Sequence, residues 1–305
     1  MRIGILAGET DGDEDLGKLT DQLRQTADDG FASFWMSNIF GLDALTALAV
    51  AGSRVPGLEL GTAVVPSYPR HPAVLAQQAL TTALAVGPDR LALGIGLSHK
   101  IVIEDMYGHS FDKPARHMRE YLSVLLPLLE GTPVNVKGET LSANIGLSTA
   151  RAGRVPVLLA ALAPRMLALA GQQTDGTVLW MTGPATVRDY VVPAITEAAR
   201  SAGRPSPRVV CSLPVCVTGD PDAARAGAAK TFSIYGQLPS YRAMLDREGA
   251  AGPADVAIVG DEDAVTAQIL ALADAGVTDF VAAEFARGDD RVRTRAVLKT
   301  LAAES

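Results

Sequence analysis

The chain has little of what usually marks a metalloprotein, a nucleic-acid binder or a membrane protein. Only two cysteines occur in 305 residues, Cys211 and Cys216. They fall on one expected strand at an odd spacing that turns them to opposite faces, so neither a disulfide between them nor a shared metal is expected. The four histidines, His71, His99, His109 and His117, include no i, i+4 pair, no HxH and no HExxH. A metal site is therefore not expected. Positive charge is also short: 27 Lys and Arg stand against 34 Asp and Glu, a net charge of −7 with no basic cluster. Nucleic acid and anionic membrane surfaces are unsuited as partners. No apolar run approaches the ~18 residues of a membrane span. The N-terminal MRIGILAGET has too short an apolar run for a secretory signal. A cytoplasmic protein is expected.

What is present is ample apolar material, 48% hydrophobic residues against 20% charged. It is distributed as short apolar runs alternating with helical segments. The runs are Ile3–Ala7, Ala32–Met36, Leu58–Val65, Arg90–Ile95, Val155–Ala161, Thr177–Met181, Arg208–Val217 and Thr278–Glu284. Helical patterns lie between them, several opened by proline, as at Pro72 and Pro164, where a missing N–H costs nothing. Strands alternating with helices imply a parallel sheet. Eight such units over residues 1–305, with no linker and no G-x-G-x-x-G after the first strand, predict a single (β/α)8 barrel rather than an open dinucleotide-binding sheet. Insertions are expected after strand four (97–114, then a small hairpin within 132–150) and after strand seven (231–252).

Active sites of such barrels lie at the C-terminal ends of the strands. That rule selects Ser37 and Asn38, Ala63 and Val64, Gly96, Ser98 and His99, the turn Ala161 to Arg165, Trp180 and Met181, and Glu284. No paired carboxylates converge there, and neither carboxylate nor lysine recurs at several strand ends. A glycosidase, an enolase-type site or a sugar-phosphate enzyme therefore fits poorly. The turn Ala161-Leu162-Ala163 places small residues at a helix N-terminus beside Arg165, a ready anion site. An apolar rim with one anion-binding turn suits a flat, phosphate-bearing cofactor that carries out the redox chemistry itself.

Four stretches in this order, FGLDALTALA, LGTAVVPSYPRHPAVLAQQAL, RLALGIGLSH with RHMREYL, and AALAPRMLALAGQQTDGTVLW, resemble the luciferase-like monooxygenase superfamily, in particular its coenzyme F420-dependent branch. The resemblance spans nearly the whole barrel. It implies a bulged third strand behind the cofactor ring, with a non-proline cis peptide at Ala63-Val64. It also implies a phosphate site at Ala161, Leu162, Ala163, Arg165 and Met166, although Leu162 and Ala163 stand where many relatives have glycine. The activity implied is hydride transfer between C5 of the deazaflavin and a small organic substrate. The alternatives are an FMN-dependent monooxygenase of the same superfamily and a flavin-binding protein without catalysis. A homodimer is expected, joined through the Ala-rich helices Leu42–Gly52 and Ala73–Val86.

Within that frame His99 is a proton donor or a tail contact, and Tyr107 a lid or substrate contact. Glu284 is a proton relay, or else salt-bridged to Arg287. Ser37 and Asn38 bond the ring's polar edge or cap a strand end. Gly96, Ser98, Met166 and Trp180 complete the cofactor's surroundings. His71 reaches the site or anchors its loop, and His109 and His117 are structural.

Overall fold

The computed structural model describes residues 1–7 and 15–304. The eight apolar runs become parallel strands: β1 (Arg2–Ala7), β2 (Ser33–Met36), β3 (Glu59–Thr62, resuming at Val65–Pro66), β4 (Leu91–Gly96), β5 (Val157–Ala160), β6 (Gly176–Trp180), β7 (Arg208–Val217) and β8 (Asp279–Glu284). Each pairs with its neighbours in chain order, β8 returns to β1, and β6 pairs with β7, so the ring closes as a (β/α)8 barrel. The antiparallel hairpin Val134–Lys137/Ser142–Ile145 follows the insertion after β4. A short strand, Ile258–Gly260, adds outside the ring to β7 and was not anticipated, since three residues are too few to show a period.

Two apolar layers hold the barrel. Its interior is filled by Trp35, Ala92, Leu158, Val178, Val210 and Val281, one residue from each of six strands. A much larger shell lies between the strands and the helices. The interior tryptophan needs space, and Gly61 supplies it: a Cβ there would meet the Trp35 ring at 2.2 Å. Helices Pro72–Val86 and Pro164–Gln173 open at the expected prolines, and Pro114, expected as the last residue of the insertion, opens Pro114–Leu129. The helical region after β6 contains a wider turn, Val187–Val191, before Val192–Ser201. Pro193 has no N–H to offer the carbonyl one turn back.

The two ends of the barrel differ in chemistry. At the N-terminal end, Arg208 Nη2 bonds Asp279 Oδ1 (2.7 Å) and Glu59 Oε1 (2.9 Å). Arg2 pairs with the same two carboxylates at 3.1 and 3.2 Å. Four charges from β1, β3, β7 and β8 thus interlock across the floor. The C-terminal end holds the cavity described next.

Candidate active site

β3 is interrupted at Ala63-Val64, where the peptide bond is cis, as the resemblance implied. The interruption pushes backbone and side chain toward β4, and β4 answers with glycine. A Cβ on Gly94 would fall 1.9 Å from the Thr62 carbonyl oxygen, and one on Gly96 2.7 Å from Val64 Cγ2. The Gly94-Ile95-Gly96 pattern is therefore clearance for the bulge, not a nucleotide loop. Thr62 Oγ1 ties the two strands by donating to the Gly94 carbonyl (2.8 Å) and accepting from the Gly94 N–H (2.9 Å).

Above this bulge lies a cavity of ≈ 900 Å³, bounded by the ends of β3 to β6 and roofed by the insertions after β4 and β7. That volume is within the range of ligand pockets. Ala63, Val64, Gly96, Ser98, His99, Leu162, Ala163, Met166 and Trp180 all line it, so nine of the residues selected from the sequence are brought together. The backbone at Ser98 (φ 61°) and Met181 (φ 52°) is left-handed, an unusual conformation for these residues that marks the ends of β4 and β6 as sharply turned.

The helix Pro164–Gln173 starts at Ala163 with no side-chain cap. Leu162, Ala163 and Met166 line the cavity at this helix N-terminus, where the helix dipole favours an anion. Tyr190 donates to the Leu162 carbonyl (3.0 Å) and fixes the turn from behind. Arg165 is exposed and Ala161 buried, and neither lines the cavity. His99 is half-buried at the end of β4, its ring tilted against Tyr241 at 5.5 Å. Burial pulls its pKa below 6.5, so the imidazole is neutral at neutral pH. Trp180 sits edge-on to Phe232 and Tyr235 at 5.9 and 5.6 Å, its Nε1–H buried without a partner among the described residues.

Other selected residues are placed elsewhere. Asn38 accepts from the Ala44 N–H (3.0 Å) at the start of helix Ala44–Gly52, and neither it nor Ser37 lines the cavity. Tyr107 is 42% exposed on the outer side of the insertion. Glu284 lines a separate cavity of ≈ 780 Å³ near β1 and bonds Arg295 (2.8 Å), not the expected Arg287. Arg295 also reaches Asp29 (2.8 Å), so the closing helix, rather than the adjacent loop, supplies the counter-ion. Burial raises the Glu284 pKa against the pull of Arg295. His71 caps helix Pro72–Val86 and reaches the Ser142 carbonyl (3.3 Å), an anchoring role. His117 is buried, bonded to Ser67 Oγ (3.0 Å) and stacked on Tyr68 at 3.9 Å.

Sequence reasoning missed the far wall: Ile101, Glu104 and Phe111 from the first insertion, and Ile234, Leu238 and Tyr241 from the second. The aromatic content of 231–252 was the one local signal. Among the described residues no cluster could hold a metal ion, and no helix is long and apolar enough to cross a membrane.

Comparison with known proteins agrees with this geometry. The luciferase-like monooxygenase model matches residues 1–279. A Methanolobus tindarius 5,10-methylenetetrahydromethanopterin reductase is 27% identical over 83% of this chain and 86% of its own. A Mycobacterium tuberculosis protein described as a coenzyme F420-dependent oxidoreductase is 30% identical over 83% of this chain and 87% of its own. The solved structure of an F420-dependent secondary alcohol dehydrogenase with an F420-acetone adduct superposes with a TM-score of 0.81 at 18% identity, covering 99% of this chain and 97% of that one. With its barrel closed, its third strand bulged and its sequence matched over residues 1–279, the chain belongs to the luciferase-like monooxygenase family.

Proposed function

We propose that the protein is an F420-dependent oxidoreductase acting on a small organic molecule. One observation carries this reading: a single cavity joins a flat apolar floor, the Ala63–Val64 bulge, to an uncapped helix N-terminus at Ala163. A planar ring with an anionic tail fits both ends. Gly96 keeps the ring's approach open, because a Cβ there would already crowd Val64. Two similar proteins named for F420 support the choice of cofactor.

When bound, a deazaflavin supplies hydride chemistry at C5. The protein's own share is position, dryness and one proton. Phe111 and Leu238 shield the cavity from water, while Ile101 and Ile234 border its open mouth. Neutral His99 can take the proton of a substrate hydroxyl, or return it to a carbonyl oxygen in the reverse direction. Trp180, Met166 and Leu162 form the apolar wall that fixes orientation.

The test is binding of F420 and FMN by the purified protein, followed by fluorescence quenching. Micromolar or tighter F420 binding with little for FMN is expected. The reverse preference would move the protein to FMN-dependent monooxygenation, and binding of neither would end this reading. If F420 binds but reduced F420 is not oxidised in a broad substrate screen, the non-catalytic alternative stands. His99→Asn should leave F420 affinity within a few-fold and lower turnover about 10²–10⁴-fold. The wild-type pH profile should break below pH 6.5. The same reading takes the protein as a cytoplasmic homodimer. Val74 and Leu84, 55% and 45% exposed on helix Pro72–Val86, offer apolar contacts. A monomer in light scattering at micromolar concentration would count against it.

A further inference from the structure

The wall opposite the Ala63–Val64 bulge has a composition that restricts what can bind against it. It comes from the two insertions: Ile101, Phe111, Ile234, Leu238 and Tyr241 face the cavity. Ile101 and Ile234 are 53% and 54% exposed, apolar surface left open at the mouth. The cationic side chain among the cavity-lining residues, Lys100, is matched by Glu104 at 3.6 Å, and Asp105 adds a further negative charge. An anionic substrate body therefore finds no unmatched cation on this wall, and a cationic one finds only Asp105, whose carboxylate is exposed and screened by solvent.

The wall also carries polar side chains uncommitted among the described residues, Gln237, Ser240 and Tyr241, of which Tyr241 is the one in ring contact with His99. Tyr121 donates its hydroxyl to the Arg70 carbonyl (3.0 Å) and Tyr190 donates to Leu162. Tyr241 packs its ring between His99 (5.5 Å) and Tyr235 (5.2 Å), yet its hydroxyl makes no hydrogen bond among the described residues. Burial raises its pKa, which keeps it a donor across the physiological range. A donor held beside a neutral imidazole, on a wall shared with Ile101, Phe111, Ile234 and Leu238, suits one oxygen atom on an apolar molecule.

Resting on the reading of this cavity as the reaction site, we propose that the substrate is an uncharged carbonyl or hydroxyl compound with an apolar body. Tyr241 donates a hydrogen bond to its oxygen beside His99, while Ile101, Ile234 and Leu238 hold its body. Tyr241 is thus a substrate-binding residue supplied by the insertion after β7, about 140 positions from His99 in the chain.

The experiment measures binding of 2-octanone, octanoate and octylamine by the intact protein through tryptophan fluorescence, since Trp180 lines the cavity. Each probe is tested alone and with F420. Expected are preference for 2-octanone over both ions by tenfold or more, and affinity rising about threefold per methylene from 2-butanone to 2-octanone. Tyr241→Phe, which keeps the ring packing, should weaken 2-octanone about five- to tenfold and leave F420 affinity unchanged. Ile234→Ala should flatten the chain-length series without removing the oxygen preference. Equal or tighter binding of octanoate or octylamine, an unaffected Tyr241→Phe, or no binding of 2-octanone in either condition would overturn the proposal. Because the probes are also read without cofactor, failure of F420 to bind while these preferences hold would overturn only the cofactor assignment.

Discussion

The two ends of the barrel solve opposite problems. The floor matches its charges: Asp279, 2% exposed, faces both Arg208 and Arg2, and Glu59 faces the same pair. The mouth buries polar groups without matching them. The Trp180 Nε1–H has no partner among the described residues, His99 is held neutral by burial, and Ser98 and Met181 keep left-handed backbone. A barrel can close its N-terminal end for stability alone, whereas unmet donors and turned backbone at the C-terminal end are what a ligand can use.

The contrast can be broken most strongly at the floor. Arg208→Met should leave Glu59 and Asp279 sharing Arg2 alone, and cost about 3 kcal/mol or more in urea denaturation. F420 binding under native conditions should change little. A loss below ~1 kcal/mol would mean that the floor is not the fastening it looks to be.

A buried histidine outside the cavity should respond to acid in a way that the floor does not. His117 is pushed down to about 4 by burial, while an unfolded chain titrates near 6.5. The unfolded state therefore takes up a proton first, and folding stability falls as pH drops from 6.5 toward 4. The full contribution, on the order of 3 kcal/mol, is present above 6.5. The groups around this ring are Ser67, Tyr68, Tyr121, Glu120 and His109. His117→Gln should be less stable at pH 7 yet lose less between pH 7 and 5 than the parent, as read by denaturation at both values. Parallel losses would refute the assignment.

The smallest effect sharpens the comparison within the mouth itself. Gly96→Ala sets a Cβ 2.7 Å from Val64 Cγ2, closer than such atoms approach, so the Val64 side chain must move. A stability loss of about 1–2 kcal/mol is expected. F420 affinity should fall by more than that loss would suggest, because the bulge is the cavity's floor. Unchanged affinity would separate the bulge from the cofactor.

Local residue choice was sufficient for much of this. Apolar runs of strand length, prolines at helix starts and the helical segments between them carry a parallel barrel, and β7 was legible at Arg208–Val217 to the residue. The turn at Ala161–Met166 was legible too, since a strand, small residues and a proline-opened helix are all local features. Glu284 shows where such reasoning stops. Its position at the end of β8 was readable, but its partner is Arg295 from the closing helix rather than Arg287 nearby. His71 and Asn38 likewise sit in suggestive positions and serve as caps.

What the sequence by itself determined is the alternation of strand and helix, and hence the barrel and the end at which a site can form. The cavity's contents were decided by closure of the ring. Closure sets Gly96 under Val64 and brings the insertion after β7 over that after β4, so that Tyr241 meets His99. The physical reason lies in range: strand and helix periods are set by neighbours within a few residues. Contact between two insertions depends on eight strands having first paired in register, and no local pattern encodes that distance.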